Sequence, residues 1–129
     1  MRLFTILSMA AASACSSLIP GPALAHTKVV ASTPAEGAAI KPPRVLSLTF
    51  SEPLSPVAVA ASIVMTAMPG MTDHPPMTIR NFKSSWSSDK LVLTLNLREA
   101  LPSGSYDVKW QAAGADGHRA TGKVSFTVR

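Results

Sequence analysis

Residues 106–110, Tyr-Asp-Val-Lys-Trp, decide the fold class, because apolar side chains alternate there with charged ones. A period of two places alternate side chains on opposite faces of a β-strand. The same alternation recurs at residues 46–50, 91–97 and 124–128. Four such runs in a chain of 129 residues indicate a β structure whose strands each have one apolar and one polar face.

Prolines and glycines separate these runs and bound further, less regular ones. Additional strands are expected around residues 28–32, 60–65 and 77–83. No stretch longer than about ten residues keeps a 3.6-residue period free of Gly or Pro, so no substantial helix is expected. The sequence therefore predicts an all-β fold, a single immunoglobulin-like Greek-key sandwich or barrel of about seven strands.

The composition excludes several classes of protein. With 47% hydrophobic and 15% charged residues, the chain is too apolar to be intrinsically disordered. Its one cysteine cannot form a disulfide within the chain. The 12 Lys and Arg residues are scattered, and aromatic residues make up only 5% of the chain. These features argue against nucleic-acid binding, despite the formal net charge of +5.

Residues 1–25 have the features of a signal peptide. Arg2 precedes an apolar stretch that is too short to span a membrane, and Ala23-Leu24-Ala25 is a small-x-small cleavage site. We therefore expect an exported protein that is cleaved before His26, with one domain at residues 26–129. The alternative is a lipoprotein with Cys15 at its N-terminus, but the preceding residues lack the leucine expected at the first position of that cleavage box.

Metal-capable side chains recur every third residue in one segment, at Met65, Met68, Met71, His74 and Met77. Core packing is the ordinary role of methionine. A spacing of three, however, matches neither a strand nor a helix interrupted by proline and glycine, so we expect an exposed loop. Thioether sulfur is a soft, uncharged ligand that suits Cu(I), and imidazole can join it. The segment therefore predicts a Cu(I) site.

A second candidate site combines the new N-terminus with a distant motif. The amine and imidazole of His26 can chelate one metal ion, and this nitrogen pair suits Cu(II). Because the amine must lose a proton, and the ordinary pKa of an α-amine is about 7.7 to 8.0, affinity should fall at lower pH. In extended backbone, Asp116 and His118 lie on one face, two residues apart. Together these groups predict a Cu(II) site of three nitrogens and one oxygen.

The chain resembles the CopC family of periplasmic copper-resistance proteins over essentially its whole mature length. The resemblance rests on His26 and on the runs at residues 32–37, 50–52, 64–71, 104–110 and 116–118. It implies a Cu(II) site at one end of the fold, with His26, His118 and, directly or indirectly, Asp116. It also implies a Cu(I) site in the methionine-rich loop at the other end. Which three or four of its five candidates bind together is left open.

The function expected from these features is a periplasmic carrier or buffer in copper homeostasis and resistance, not an enzyme. The resemblance further implies a membrane copper transporter or another periplasmic copper protein as partner, with the chain a monomer or a weak metal-linked dimer. One alternative is a histidine-brace copper-dependent oxidative enzyme, although only 2 Trp and 1 Tyr are available for a substrate-binding face. The other is a structural immunoglobulin-like module whose His and Met residues are incidental.

Overall fold

The computed structural model describes residues 27–71, 75–113 and 118–129. Within these ranges the chain forms nine strands, with a single 3-10 turn at Pro56–Ala58 as the helical element. The strands are β1 Val29–Thr33, β2 Ala39–Ile40, β3 Val45–Phe50, β4 Val59–Ala67, β5 Met77–Ile79, β6 Phe82–Trp86, β7 Val92–Leu97, β8 Gly104–Ala113 and β9 Arg119–Val128.

The strands form two sheets packed as a sandwich. One sheet has the order β1-β3-β7-β6 and the other β2-β9-β8-β4-β5, and every pair is antiparallel except β2 with β9. This confirms the predicted all-β sandwich. The number of strands exceeds about seven because β2 has two residues and β5 three, too few to show an alternation. The strand expected at residues 77–83 is in fact two, β5 and β6, in different sheets.

The core lies between the sheets, where the alternating apolar side chains of both meet. Along β8 the alternation is complete, since Tyr106, Val108 and Trp110 are buried while Lys109 is exposed. Phe50 of β3 joins the sheets: its ring stacks on Trp86 at 5.9 Å and meets Trp110 edge to face at 5.1 Å. Such aromatic pairs add stability beyond their buried area.

Tyr106 fixes the entry into β8. Its ring is buried and stacks on Phe126 at 5.6 Å, and its hydroxyl donates a hydrogen bond to the Pro102 carbonyl at 2.6 Å. A tyrosine that bonds the backbone a few residues upstream is the tyrosine corner of Greek-key sandwiches. Burial raises the pKa of Tyr106 to about 12, because the charged phenolate is disfavoured away from water.

The register gives the sandwich two ends. At the His118 end, β3, β6 and β8 finish and β1, β4, β7 and β9 begin. At the methionine end, β4, β7 and β9 finish and β5, β6 and β8 begin. β4 runs from one end to the other and, at the usual rise per residue, spans about 25 Å. Groups placed at opposite ends therefore cannot share one metal ion.

Candidate metal centres

The structure describes five of the eight predicted metal ligands. His118 lies at one end of the sandwich, and Met65, Met68, Met71 and Met77 lie at the other. His26, His74 and Asp116 fall outside the described residues. Within the described ranges, no group of three or more His, Cys, Asp or Glu side chains could hold a metal ion.

His118 lies next to the last register pair of the β8–β9 hairpin. It directly precedes Arg119, which pairs with Ala113 across the two strands. Including this pair, ten successive register pairs join β8 to β9, down to Gly104 with Val128. His118 is exposed. The backbone beside this imidazole is fixed by a long, fully paired hairpin, and the side chain is accessible from solvent.

The chain enters the fold at this same end, through residues 27 and 28. Thr27 is buried, and its hydroxyl donates a short hydrogen bond to the Glu52 carboxylate. The Lys28 amide donates to Ser51 Oγ at 3.1 Å, and the Ser51 amide donates to the Lys28 carbonyl at 2.8 Å. These bonds fix the segment against the end of β3. The first described residues are therefore held at the end of the sandwich that carries His118.

Glu52 is a functional candidate to which sequence reasoning assigned no role. It is half-buried, two residues after the end of β3, and it holds the residue next to His26. The signal available in the sequence was an acid in a Ser-Glu-Pro turn that follows an apolar strand. That signal was insufficient because its partner, Thr27, lies 25 residues earlier and only the β1–β3 pairing brings the two together.

At the methionine end, Met68 and Met71 flank a tight turn. Pro69 and Gly70 occupy its central positions, Gly70 has a φ of +76°, and the Met71 amide donates to the Met68 carbonyl at 3.1 Å. Pro followed by a glycine with positive φ is typical of a type II turn. The two methionines form an isolated antiparallel bridge across it. The Met-Pro-Gly-Met sequence therefore brings two thioether side chains onto neighbouring positions.

A second methionine pair lies next to this turn. Met65 in β4 and Met77 in β5 are direct partners in the register, so both side chains leave the sheet on the same face. Met65 is 2% exposed and belongs to the core, whereas Met77 is 48% exposed and Met71 is 52% exposed. Met68 is intermediate and packs against the core. The four thioether side chains therefore differ in exposure, from the buried Met65 to the half-exposed Met71 and Met77.

The expectation that all these methionines occupy an exposed loop is wrong for two of them, which lie instead in the strands expected around residues 60–65 and 77–83. Met65 and Met77 lie in paired strands, and Met65 is a core residue directly opposite Tyr106 in the β4–β8 register. The three-residue spacing concealed this for a physical reason. The β4–β8 register shifts between Met65 and Ala67, and the turn follows at once, so a period of two does not persist through the segment.

Gly104 allows β8 to approach the end of β4 at this point. A Cβ at this position would lie 2.6 Å from the Ala67 carbonyl oxygen and 3.5 Å from the Met65 terminal methyl group. Its φ of +157° is also one that residues with side chains rarely adopt. Glycine is therefore needed to hold the end of β4, and with it the start of the methionine turn, against β8.

These features define a class of protein, a small two-sheet β-sandwich with candidate metal ligands of different softness at opposite ends. The chain belongs to the CopC family, because residues 29–129 match the CopC domain. No helix in the described part of the chain is long and apolar enough to cross a membrane.

Similar proteins include copper resistance protein C of Pseudomonas syringae pv. tomato, which is 40% identical over 116 residues, 90% of each chain. Copper resistance protein C of Escherichia coli is 36% identical over 83% of this chain and 84% of the relative. Among solved structures, PcoC, described as a methionine-rich copper resistance protein from Escherichia coli, aligns with a TM-score of 0.71 and 34% identity, over 81% of this chain and 100% of PcoC. CopC from Methylosinus trichosporium OB3b aligns with a TM-score of 0.61 and 26% identity, over 80% of this chain and 93% of that chain.

Proposed function

We propose that this protein is an exported copper carrier or buffer with separate sites for Cu(I) and Cu(II), acting in copper homeostasis and resistance. The observation that supports it most is the pairing of Met68 with Met71 and of Met65 with Met77 at a single end of the sandwich. The names of the relatives, copper resistance protein C and PcoC, are consistent with copper as the ion.

The proposed Cu(I) site draws on the two methionine pairs together with His74. Met71 and Met77 are the accessible ligands, Met68 lies between solvent and core, and Met65 supplies a thioether from the core side. Neutral sulfur ligands stabilise the soft monovalent ion without deprotonation. Because thioethers bind less firmly than thiolates and two of them are open to solvent, the ion can be passed to another protein.

The proposed Cu(II) site lies at the other end and consists of the amine and imidazole of His26, the imidazole of His118 and the carboxylate of Asp116. Its support is the anchoring of Thr27 by Glu52 at the end that also carries His118. Three nitrogens and one oxygen suit the tetragonal preference of Cu(II). Since β4 separates the ends by about 25 Å, the two sites bind copper independently.

We further propose that the protein acts in the periplasm after cleavage before His26, as a carrier and not as an enzyme. It would exchange copper with a membrane copper transporter or another periplasmic copper protein, as a monomer or a weak metal-linked dimer. A histidine-brace oxidase is not favoured, since Tyr106 and Trp110, the aromatic residues of β8, are both buried and cannot form a substrate-binding face. Peroxide-dependent oxidation of a test substrate by the Cu(II) form, lost in His26→Ala, would contradict the carrier function.

Equilibrium dialysis with each copper ion tests the two-site proposal. The purified protein should bind one Cu(II) and, under reducing conditions, one Cu(I). His118→Ala should lose Cu(II) alone, whereas Met68→Leu with Met71→Leu should weaken Cu(I) alone. Thr121→Ala, an exposed change three residues after His118, and Val45→Ala, an exposed apolar change at the methionine end, are the matched controls. A structural module would bind neither ion stoichiometrically.

The N-terminal part of the Cu(II) site has its own test. Intact mass of the exported protein should place the N-terminus at His26. One additional residue ahead of His26 should abolish the six-membered chelate while Cu(I) binding is unchanged. Unchanged Cu(II) affinity in the extended protein would show that the amine is not a ligand, and a mature protein that begins at Cys15 would leave only the Cu(I) site in the proposal.

A further inference from the structure

A groove lies on the outer face of the five-stranded sheet, away from both candidate metal sites. In one row of the register, Ser62 of β4 lies beside Lys109 of β8, which lies beside Lys123 of β9. Only small side chains, Ala60 and Ser62, stand on the β4 side of this part of the face. The difference in side-chain size produces a concavity of about 650 Å³.

The middle of the groove is uncharged. Ala60, Gln111 and Thr121 are neighbours in one row of the β4–β8–β9 register, and they line the concavity. All three are exposed on the outer face, whereas Trp110 and Gly122, the next pair in the register, face the core, where the indole ring packs on the glycine. The groove therefore offers a strip of uncharged side chains between its cations.

The groove continues toward the His118 end. A second concavity of about 310 Å³ shares Ala60 and Gln111 with the first and is also lined by Val57 and Arg119. Val57 is 96% exposed, the largest exposed fraction among the exposed large hydrophobic side chains of the described chain. The two concavities together form one continuous surface, which we call the β4–β9 groove.

The β4–β9 groove is positively charged. Lys109 and Lys123 lie directly opposite each other, an arrangement that destabilises a sheet. Asp107 offsets only Lys123, at 3.9 Å, and it also accepts a hydrogen bond from Ser125 Oγ at 2.6 Å. The side chains of Lys109 and Arg119 make no hydrogen bond or ion pair with any residue that the structure describes. Their charges are available to a ligand.

The positions of these cations suggest the shape of that ligand. Arg119 and Lys123 are four residues apart on one strand, and their side chains lie on the same face, about 13 Å apart at the strand rise. Acidic side chains four residues apart in an extended peptide have the same separation and also point to one side. The residue midway between them points to that side as well, toward the row of Ala60, Gln111 and Thr121.

We propose that the β4–β9 groove binds an extended acidic segment of a partner protein, with an apolar side chain midway between two carboxylates. The carboxylates pair with the cations of β8 and β9, and the apolar side chain lies over Ala60 and Thr121 between them. The cations flank an uncharged, concave row of the register, which matches such a segment better than a flat anionic membrane surface. This inference does not depend on copper, so its test uses the metal-free protein.

A peptide titration followed by NMR tests the proposal. The probe is the peptide Glu-Ser-Val-Ser-Glu, and its control is Lys-Ser-Val-Ser-Lys. The acidic peptide should shift the amide signals of Ala60, Gln111 and Thr121. Affinity should fall as salt is raised, because the contacts are charged and exposed. Equal shifts with the basic control peptide would overturn the proposal.

Charge-reversal variants locate the binding surface. Lys109→Glu with Arg119→Glu should lower peptide affinity about tenfold or more. Arg80→Glu with Lys83→Glu makes the same change in charge at exposed positions outside the groove and should lower it less than about twofold. If the first double variant fails to fold, Lys109→Gln with Arg119→Gln replaces it, with an expected loss of about threefold. Equal losses at both locations would show that only net charge matters and would overturn the proposal.

The remaining alternative, a membrane surface, is tested with phosphatidylglycerol vesicles. Vesicles that bind the protein through Lys109 and Arg119 while the acidic peptide does not would overturn the proposal in favour of lipid. Peptide binding that persists in the presence of vesicles and depends on Lys109 and Arg119 would support it.

Discussion

Met68 and Met71 are partners across a Pro-Gly turn, in which the Met71 amide donates to the Met68 carbonyl at 3.1 Å. One side chain packs on the core and the other is half exposed to solvent. The turn therefore determines the relative position of two of the proposed Cu(I) ligands. Since it depends on the backbone of Gly70, changes there should affect copper binding without removing a ligand.

Gly70→Ala is expected to weaken Cu(I) binding several-fold while leaving Cu(II) binding unchanged. Gly70 has a φ of +76° and nothing within 4 Å of its Cβ position, so alanine brings conformational strain of about 1 kcal/mol but no clash. Competition against a Cu(I) chelator gives the affinity. Gly37→Ala is the matched control, because Gly37 has the same φ and the same open surroundings outside the methionine turn. A loss of Cu(I) affinity in both variants would show that general stability, not the turn, is responsible.

Gly104→Ala should destabilise the whole sandwich by about 1 to 3 kcal/mol, because the added methyl group clashes with a backbone carbonyl that cannot move aside easily. Urea denaturation monitored by circular dichroism measures the change. Ser105→Ala, one residue along the same strand, should change stability by less than about 0.5 kcal/mol. Wild-type stability in Gly104→Ala would mean that β8 does not approach β4 as closely as the structure shows.

Glu52→Gln should weaken Cu(II) binding and leave Cu(I) binding unchanged. The carboxylate accepts a hydrogen bond from the Thr27 hydroxyl and fixes the chain one residue from His26, and an amide replaces this charged acceptor with a weaker neutral one. We expect a loss of about threefold to tenfold, measured by competition with a Cu(II) chelator. Glu36→Gln is the control, since that carboxylate also accepts one hydrogen bond, from the Ser125 amide at 2.7 Å. An equal effect of both changes would argue against a role for Glu52 in positioning the N-terminus.

Tyr106 should make stability fall at alkaline pH. Its pKa is about 12 in the folded protein against 10.0 for an ordinary tyrosine, so between pH 10 and 12 the unfolded chain releases a proton that the folded protein keeps. The contribution of Tyr106 is therefore complete below pH 10 and is lost as pH rises toward 12. Tyr106→Phe should lose about 1 kcal/mol at neutral pH from the missing hydrogen bond to Pro102. Urea denaturation at several pH values should show a weaker alkaline decline in the variant, and an equal decline would show that other groups cause it.

The fold class was predictable because its signal is local. Alternation at residues 46–50, 91–97, 106–110 and 124–128 survives in the structure as β3, β7, β8 and β9, with the apolar side chains buried as expected. A strand with one buried face requires apolar side chains at alternate positions, so a few residues of sequence suffice to recognise such strands. The short strands β2 and β5 lacked this signal, since their positions are set by the strands they pair with, β9 and β4.

The candidate ligands were predictable by chemical type but not by environment. The number and identity of the methionines followed from the sequence, whereas the burial of Met65 and the pairing with Met77 did not. Each depends on the register of β4 against β5 and β8, which is a long-range property. The same holds for Glu52, whose only described hydrogen-bond partner is 25 residues away.

The sequence by itself determined the all-β class, the recurrence of metal-capable side chains and the turn formed by Pro69 and Gly70, because alternation, side-chain chemistry and backbone preference are local properties. Only the tertiary structure decided that Met65 is a core residue, that Thr27 and His118 share one end of the sandwich, and that Lys109 and Lys123 stand side by side on its outer face. These relationships join residues far apart in the chain, and strand register, set by packing of the two sheets over one core, establishes them.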